Sequence, residues 1–270
     1  MSGTIVSTGE SKVWVESIGE GVPLVYLHGI ADMHGIEEIP MSFHTLLGQR
    51  FNLIAPAHPG CAKSEENENI DTIDDVVFHY LRLFDSLDLN TFSLAGSSFG
   101  AWIAAEIAVR HPERLEKLVL IGPTGLSVPG HYIEDIFWYA QPDDGVRYDG
   151  LRNLLFSEAT SEVGLRMFPD KKDTIDREIA KYKVFRFANL IGFKPPYLHN
   201  PKLKARLDRY KKSVLIIWGK QDSLVPQSHV DAYKDTFPRG KLITIKHCGH
   251  SLIAEDPKTI AKTVETFVTD

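Results

Sequence analysis

The stretch Phe92–Leu115, FSLAGSSFGAWIAAEIAVRHPERL, decides how this 270-residue chain is read. A short apolar run, Thr91–Leu94, predicts a strand, and the spacing from Ser98 to Arg110 predicts a helix rich in small residues: Ala101, Ala104, Ala105 and Ala108. Between them lies Gly96-Ser97-Ser98-Phe99-Gly100, a serine bracketed by glycines. A serine where a strand turns into a helix sits beside unpaired backbone N–H groups and the positive end of the helix dipole, so negative charge developing there is stabilised. The glycines suit a turn pressed so hard against its neighbours that side chains at 96 and 100 have no space. Ser97 is the rival nucleophile, but the glycine spacing selects Ser98.

Outward from this turn, strand and helix patterns alternate. Strands are expected at Lys12–Ser17, Leu24–Leu27, Asn52–Ala55 and Lys117–Ile121, with a helix over Thr72–Leu87. After residue 206 the alternation resumes with strands at Val214–Trp218 and Lys241–Ile245 and helices at Gln227–Thr236 and Pro257–Val268. This predicts an α/β fold, a mainly parallel sheet flanked by helices, built from residues 1–125 and 206–270. Residues 126–205 show helical patterns (Asp135–Tyr139, Leu151–Phe156, Thr174–Leu190) without a convincing strand, and GPTGLSVPG and FKPPYLHNP punctuate their ends. They are expected to form an inserted helical cap. Aromatic residues are concentrated there, and Phe137, Trp138, Phe156 and Phe185 are the candidates to bind substrate.

A serine needs a base and an orienting carboxylate. SVLIIWGKQDSLVP reads as a buried strand leading to Asp222, and KLITIKHCGHSLIAEDP as a strand, a turn at Gly249 and then His250. Ser98, Asp222 and His250 thus follow in chain order, each just past the carboxyl end of a strand. Asp231 and His247 are the substitutes, and Glu255 and Asp256 follow His250 too closely to orient it from another strand. The N–H groups of Phe99 and of Ile30, in the loop after LVYLHG, are assigned as oxyanion donors. His28 is expected to shape that loop by hydrogen bonding, and His34 to face solvent.

Composition excludes other classes. Thirty basic against 36 acidic residues leave a net charge of −6, which opposes binding to nucleic acid or an anionic membrane. The chain begins Met1-Ser2-Gly3-Thr4 without a basic or apolar leader, and no run is apolar enough to span a bilayer, so a soluble cytoplasmic monomer or homodimer is expected. Cys61 and Cys248 lack paired spacing and the histidines lack a metal-binding motif; free thiols, no metal and no cofactor are expected.

With His28-Gly29, APAHPGCAKS (Ala55–Ser64), the Gly96–Gly100 turn, HPERLEKLVLIGP (His111–Pro123), WGKQD (Trp218–Asp222) and CGH (Cys248–His250) in place, the chain resembles cap-containing α/β-hydrolase fold enzymes over nearly its whole length. Within them it most resembles esterases, lactonases and hydrolases of meta-cleavage products. The resemblance implies hydrolysis of a small ester or ketone through an acyl-serine or a related water-addition route. Departures bear on substrate. The pattern D-x-x-G-x-G-x-S is here Ala57-His58-Pro59-Gly60-Cys61-Ala62-Lys63-Ser64. The Asn and Trp usual in the carbon-carbon hydrolases are not matched at Ser97 and Ser251, while Arg152 and Arg186 remain as candidates for the cap Arg that holds a carboxylate. Ser98 in place of Asp argues against haloalkane dehalogenases and epoxide hydrolases. The expectation is a serine hydrolase of carboxylic esters with small to medium apolar or aryl acyl groups. The alternatives are a carbon-carbon hydrolase of 2-hydroxy-6-oxo-dienoates and a ligand receptor on the same fold.

Overall fold

A computed structural model of the protein describes residues 3–32, 34, 41–194 and 197–270. Met1 and Ser2, and Pro195 and Pro196 of the expected cap boundary, lie outside them. In chain order the elements are β1 (Thr4–Ser7), β2 (Lys12–Ile18), β3 (Pro23–Leu27), α1 (Ser42–Leu47), β4 (Asn52–Pro56), α2 (Ile73–Ser86), β5 (Phe92–Ser97), α3 (Phe99–Arg110) and β6 (Leu115–Ile121). There follow α4 (Ile136–Tyr139), α5 (Asp149–Leu155), α6 (Glu162–Met167), α7 (Ile175–Gly192), β7 (Val214–Gly219), α8 (Gln227–Thr236), β8 (Gly240–Ile245), α9 (Leu252–Glu255) and α10 (Pro257–Thr269).

The eight strands form one sheet in the order β1-β2-β4-β3-β5-β6-β7-β8, antiparallel at β1–β2 and β2–β4 and parallel elsewhere. Its central strands are largely apolar because helices cover both faces. Side chains alternate between two cores: Val25, Leu27, Leu94, Leu118, Leu120, Val214 and Ile216 join the one that includes α2, α3 and α8. Leu24, Tyr26, Ala95, Val119, Ile121, Leu215 and Ile217 join the one built with α1 and α10. In α3, Ala101, Ala104, Ala105 and Ala108 are all fully buried, which lets the helix lie close on β5. Thr72 caps α2 reciprocally with Asp75.

Short, exposed or weakly periodic elements escaped the sequence reading. Strand β1 is an exposed edge of four residues, and α1 and α6 are single short helices. Between β6 and β7, α4 to α7 interrupt the strand alternation. No helix of the described residues is long and apolar enough to cross a membrane.

Register sets up the site. Leu27 pairs with Gly96, Ser97 with Ile121, Ile121 with Ile217, and Gly219 with Ile245, so these residues form one staggered row at the carboxyl edge of the sheet. Ile30, Ser98, Asp222 and His250 all lie just beyond that row.

Ile216→Ala, in the middle of a fully buried strand, is expected to cost about 2–5 kcal/mol. Ile5→Ala, 49% exposed on the edge strand, should cost well under 1 kcal/mol. Paired urea midpoints check this, and equal losses would contradict the layering.

Candidate active site

Ser98 is where β5 ends and α3 begins, held at φ 52° and ψ −114°. A non-glycine residue in this region stores about 1–3 kcal/mol of strain, sustained by its surroundings. They are tight. A Cβ at Gly96 would lie 2.4 Å from the carbonyl oxygen of Gly100, and one at Gly100 would lie 2.2 Å from that of Leu27. The Ser98 N–H donates to Ile121 O at 2.8 Å, tying the turn to β6.

His250 Nε2 lies 2.8 Å from Ser98 Oγ and His250 Nδ1 2.9 Å from Asp222 Oδ2. A carboxylate only accepts, so Nδ1 carries the proton and Nε2 offers its lone pair to the serine hydroxyl. Asp222 Oδ1 meanwhile accepts the N–H groups of Leu224 and Val225 at 2.9 and 2.8 Å. Its side chain is fully buried, and with four lone-pair sites shared among three donors it is fixed in orientation. The imidazole packs on Gly122, where a Cβ would stand 3.2 Å from His250 Cε1. Among the described residues no hydrogen bond joins His250 to Ser97, the last residue of β5, and His247 is exposed.

Glu255 does what sequence proximity concealed. Its carboxylate accepts the Gly249 N–H at 2.6 Å and the Ser157 N–H at 2.8 Å, while Ser251 N–H donates to Leu155 O. The loop bearing His250 is therefore stitched to the segment following α5, although Glu255 does not touch the ring.

On the opposite side, a Cβ at Gly29 would meet Ser98 Cβ at 3.0 Å, which sets the loop after β3 against Ser98. Asp32 pins this loop: its Oδ2 accepts Gly29 N–H at 2.7 Å and Tyr26 O–H at 2.6 Å. Burial and the Asp32 carboxylate push the Tyr26 phenol well up. The hydrogen bonds of the described residues use neither the Ile30 nor the Phe99 N–H. Phe99 heads α3, where the first N–H groups have no intrahelical acceptor. His28 shapes the loop through Gly29 O and by accepting the His58 N–H at 3.0 Å, and His58 Nε2–H returns a bond to His28 O at 2.8 Å. The expectation of an exposed His34 is overturned: it is 2% exposed and packs among Trp14, His28 and His44. The aromatic-rich surroundings of β2 and α1 enclose it.

The expected substrate-binding aromatics scatter. Trp138 is 68% exposed and lines no buried wall, a correction that follows from its place on the outer side of the one-turn helix α4. Phe137 packs on Phe193 and Tyr197, Phe156 beside Phe168, and Phe185 is half-buried. The cap ring that reaches the neighbourhood of Ser98 is Phe187, 5.9 Å from Phe99 edge to face and stacked on His58 at 5.1 Å. It also lines a cleft of about 350 Å³ between α7 and the segment Pro59–Asp71. Helical spacing alone could not separate it from Phe185. Arg152 is buried and bound to Phe168 O, Asp149 and Asp170, and Arg186 pairs with Glu66. Cys61 and Cys248 are unpaired and buried, and burial pushes the Cys248 thiol up to about 12.

Burial also keeps the loop-shaping imidazoles neutral, lowering His28 to about 4 and His58 well below its ordinary value. The unfolded chain takes up protons at these rings near pH 6.5. Their contribution is thus complete above that pH and lost as pH falls toward 4, by about 3 kcal/mol for a ring lowered as far as His28. Urea midpoints should fall steadily from pH 6.5 to 4.5; midpoints constant over that interval would contradict the assignment.

Comparisons with known proteins agree with this architecture. Over 260 residues the chain is 24% identical to the pimeloyl-[acyl-carrier protein] methyl ester esterase of Nitrosomonas europaea, covering 92% of this chain and 96% of that one. It is 25% identical to the 2-hydroxymuconate semialdehyde hydrolase of Pseudomonas sp. (strain CF600), covering 93% and 88%. The crystal structure of naproxen esterase (carboxylesterase NP) from Bacillus subtilis superposes with a TM-score of 0.77 at 21% identity, over 99% of this chain and 91% of that one, a likeness of fold. Residues 22–257 match the family model of the alpha/beta hydrolase fold, and the chain is therefore a hydrolase of the α/β-hydrolase family.

Proposed function

We propose that this hydrolase is a serine esterase acting on carboxylic esters of small to medium apolar or aryl acyl groups, with residues 126–205 as its cap. The observation that carries the reading is the hydrogen-bonded chain Asp222–His250–Ser98, ending on a serine strained at the head of a helix. In this mechanism Ser98 Oγ attacks the ester carbonyl as its proton passes to His250 Nε2. Asp222 holds the tautomer and stabilises the resulting imidazolium. The carbonyl oxygen becomes an oxyanion facing the N–H groups of Ile30 and Phe99, each such donor contributing about 3–4 kcal/mol of barrier lowering. Collapse breaks the carbon–oxygen bond to the alcohol, which leaves with the proton from Nε2. Water then gives its proton to Nε2, adds to the acyl-serine, and releases the acid as Ser98 regains its proton.

The engagement of Arg152 and Arg186, the two candidate carboxylate partners, favours an ester over a dienoate. A 2-hydroxy-6-oxo-dienoate brings a carboxylate that needs a cationic partner, and Arg152 and Arg186 are already committed to Asp149, Asp170 and Glu66. Phe187, between the cleft and Phe99, supplies an apolar wall for the acyl group.

The test is turnover of p-nitrophenyl acetate and butyrate by the wild-type protein, Ser98→Ala and Asp222→Asn, beside a 2-hydroxy-6-oxo-dienoate followed by its colour. Ester hydrolysis should fall by about 10⁴-fold in Asp222→Asn and by about 10⁶-fold in Ser98→Ala, with the dienoate turned over far more slowly than the esters by wild type. Equal ester turnover by wild type and Ser98→Ala would remove the serine from the mechanism. Dienoate as the better substrate would replace the ester reading with the carbon-carbon one. Absence of turnover with tight saturable binding of one ligand would point to a receptor.

A further inference from the structure

Away from the serine, a second cluster of chemically capable side chains lies buried near β2, the second strand of the sheet. Glu16 comes from β2, His34 from the loop after β3 and His44 from α1, and one donor atom of each lies within 4.8 Å of the others. Their side chains are 5%, 2% and 0% exposed. Because the three come from separate elements, no short spacing motif announces them.

The hydrogen bonds leave this cluster short of positive charge. His34 Nε2 lies 3.0 Å from the carbonyl oxygen of Ala55, which only accepts, so Nε2 holds the proton of the neutral ring. The bare Nδ1 lone pair is then left 3.6 Å from Glu16 Oε2, two acceptors with no proton between them. That same oxygen is 2.7 Å from His44 Nδ1, and the other ring nitrogen of His44, Nε2, is buried without a partner. Among the described residues the ion-pair partners of Glu16 are these two imidazoles, with no lysine or arginine. Protonating His34 would supply a cation, but burial and the neighbouring imidazoles oppose it.

We propose that Glu16, His34 and His44 form a binding site for one divalent transition-metal ion of the zinc type. Two imidazoles and a carboxylate are a donor set suited to such an ion, borderline in softness. Bonds of about 2.0–2.2 Å in tetrahedral array place donor atoms roughly 3.3–3.6 Å apart. The His34–Glu16 separation already matches, the His44–Glu16 contact must open by less than about 1 Å as the ion replaces the shared proton, and the two imidazole nitrogens, within 4.8 Å of each other, must close by about 1 Å. Coordination by Nδ1 moves the proton of neutral His44 to Nε2, and the fourth position is open to water. The ion would fasten β2 and α1 to the loop that begins at Gly29 and carries Ile30, so its role is to hold that loop in place rather than to act on substrate.

The test uses tag-free protein, dialysed against chelator and titrated with Co²⁺ alone, then with Zn²⁺. The expected result is a 1:1 Co²⁺ complex with the visible d–d absorption of a four- or five-coordinate nitrogen and oxygen site, displaced by Zn²⁺. Zn²⁺ at a hundredfold excess over its Kd should raise the unfolding midpoint by about 5 °C. His34→Gln leaves the Glu16–His44 pair in place and should weaken Co²⁺ binding at least about 100-fold while its circular dichroism matches wild type. No 1:1 complex with wild type, or the same complex in His34→Gln and Glu16→Gln, overturns the proposal.

Discussion

The contact between Gly100 and the carbonyl of Leu27 is the constraint on which the rest of the molecule depends. No methyl group fits there or at Gly96, so β5, β3 and the start of α3 meet at backbone distance. That closeness drives Ser98 into a left-handed conformation, lifts its hydroxyl above the carboxyl edge of the sheet, and brings Gly29 against it. The parallel register does the remaining work: strands ending in one row deliver loops from β3, β7 and β8 to the same place.

Those loops are held by a common device. Asp32, Asp222 and Glu255 each spend part of their carboxylate on backbone N–H groups: Gly29; Leu224 and Val225; Gly249 and Ser157. A carboxylate that accepts several N–H groups has little rotational freedom, and charge-assisted bonds of this kind are among the stronger ones in proteins. Asp222 alone uses its second oxygen on the imidazole. Asp32 and Glu255 act on either side of Ser98, and that arrangement fixes the loop after β3 and the loop that carries His250.

How much of this was legible follows from how local each signal is. The glycine-flanked serine, the apolar strands around it and the chain order of Ser98, Asp222 and His250 are written in short windows, because backbone sterics and sheet burial dictate residue type position by position. The roles of Asp32 and Glu255 are not, since an acid near a turn is ordinarily a cap or a surface residue and only the folded loop reveals its acceptors. Phe187 differed from Phe185 by helix phase against a core that sequence does not display, and Trp138 carried an apolar signal that solvent contradicts. His34 failed for a related reason: its burial comes from Trp14, His28 and His44, residues distant in the chain.

The central claim is that one serine of this turn, and only that one, is activated by the imidazole. Labelling with a fluorophosphonate, followed by digestion and mass spectrometry of the peptide carrying Gly96–Gly100, tests it most directly. The account predicts a single adduct on Ser98 that is abolished in His250→Ala, with Ser97 unmodified. An adduct on Ser97, or labelling of Ser98 that is unchanged by the loss of His250, would contradict it.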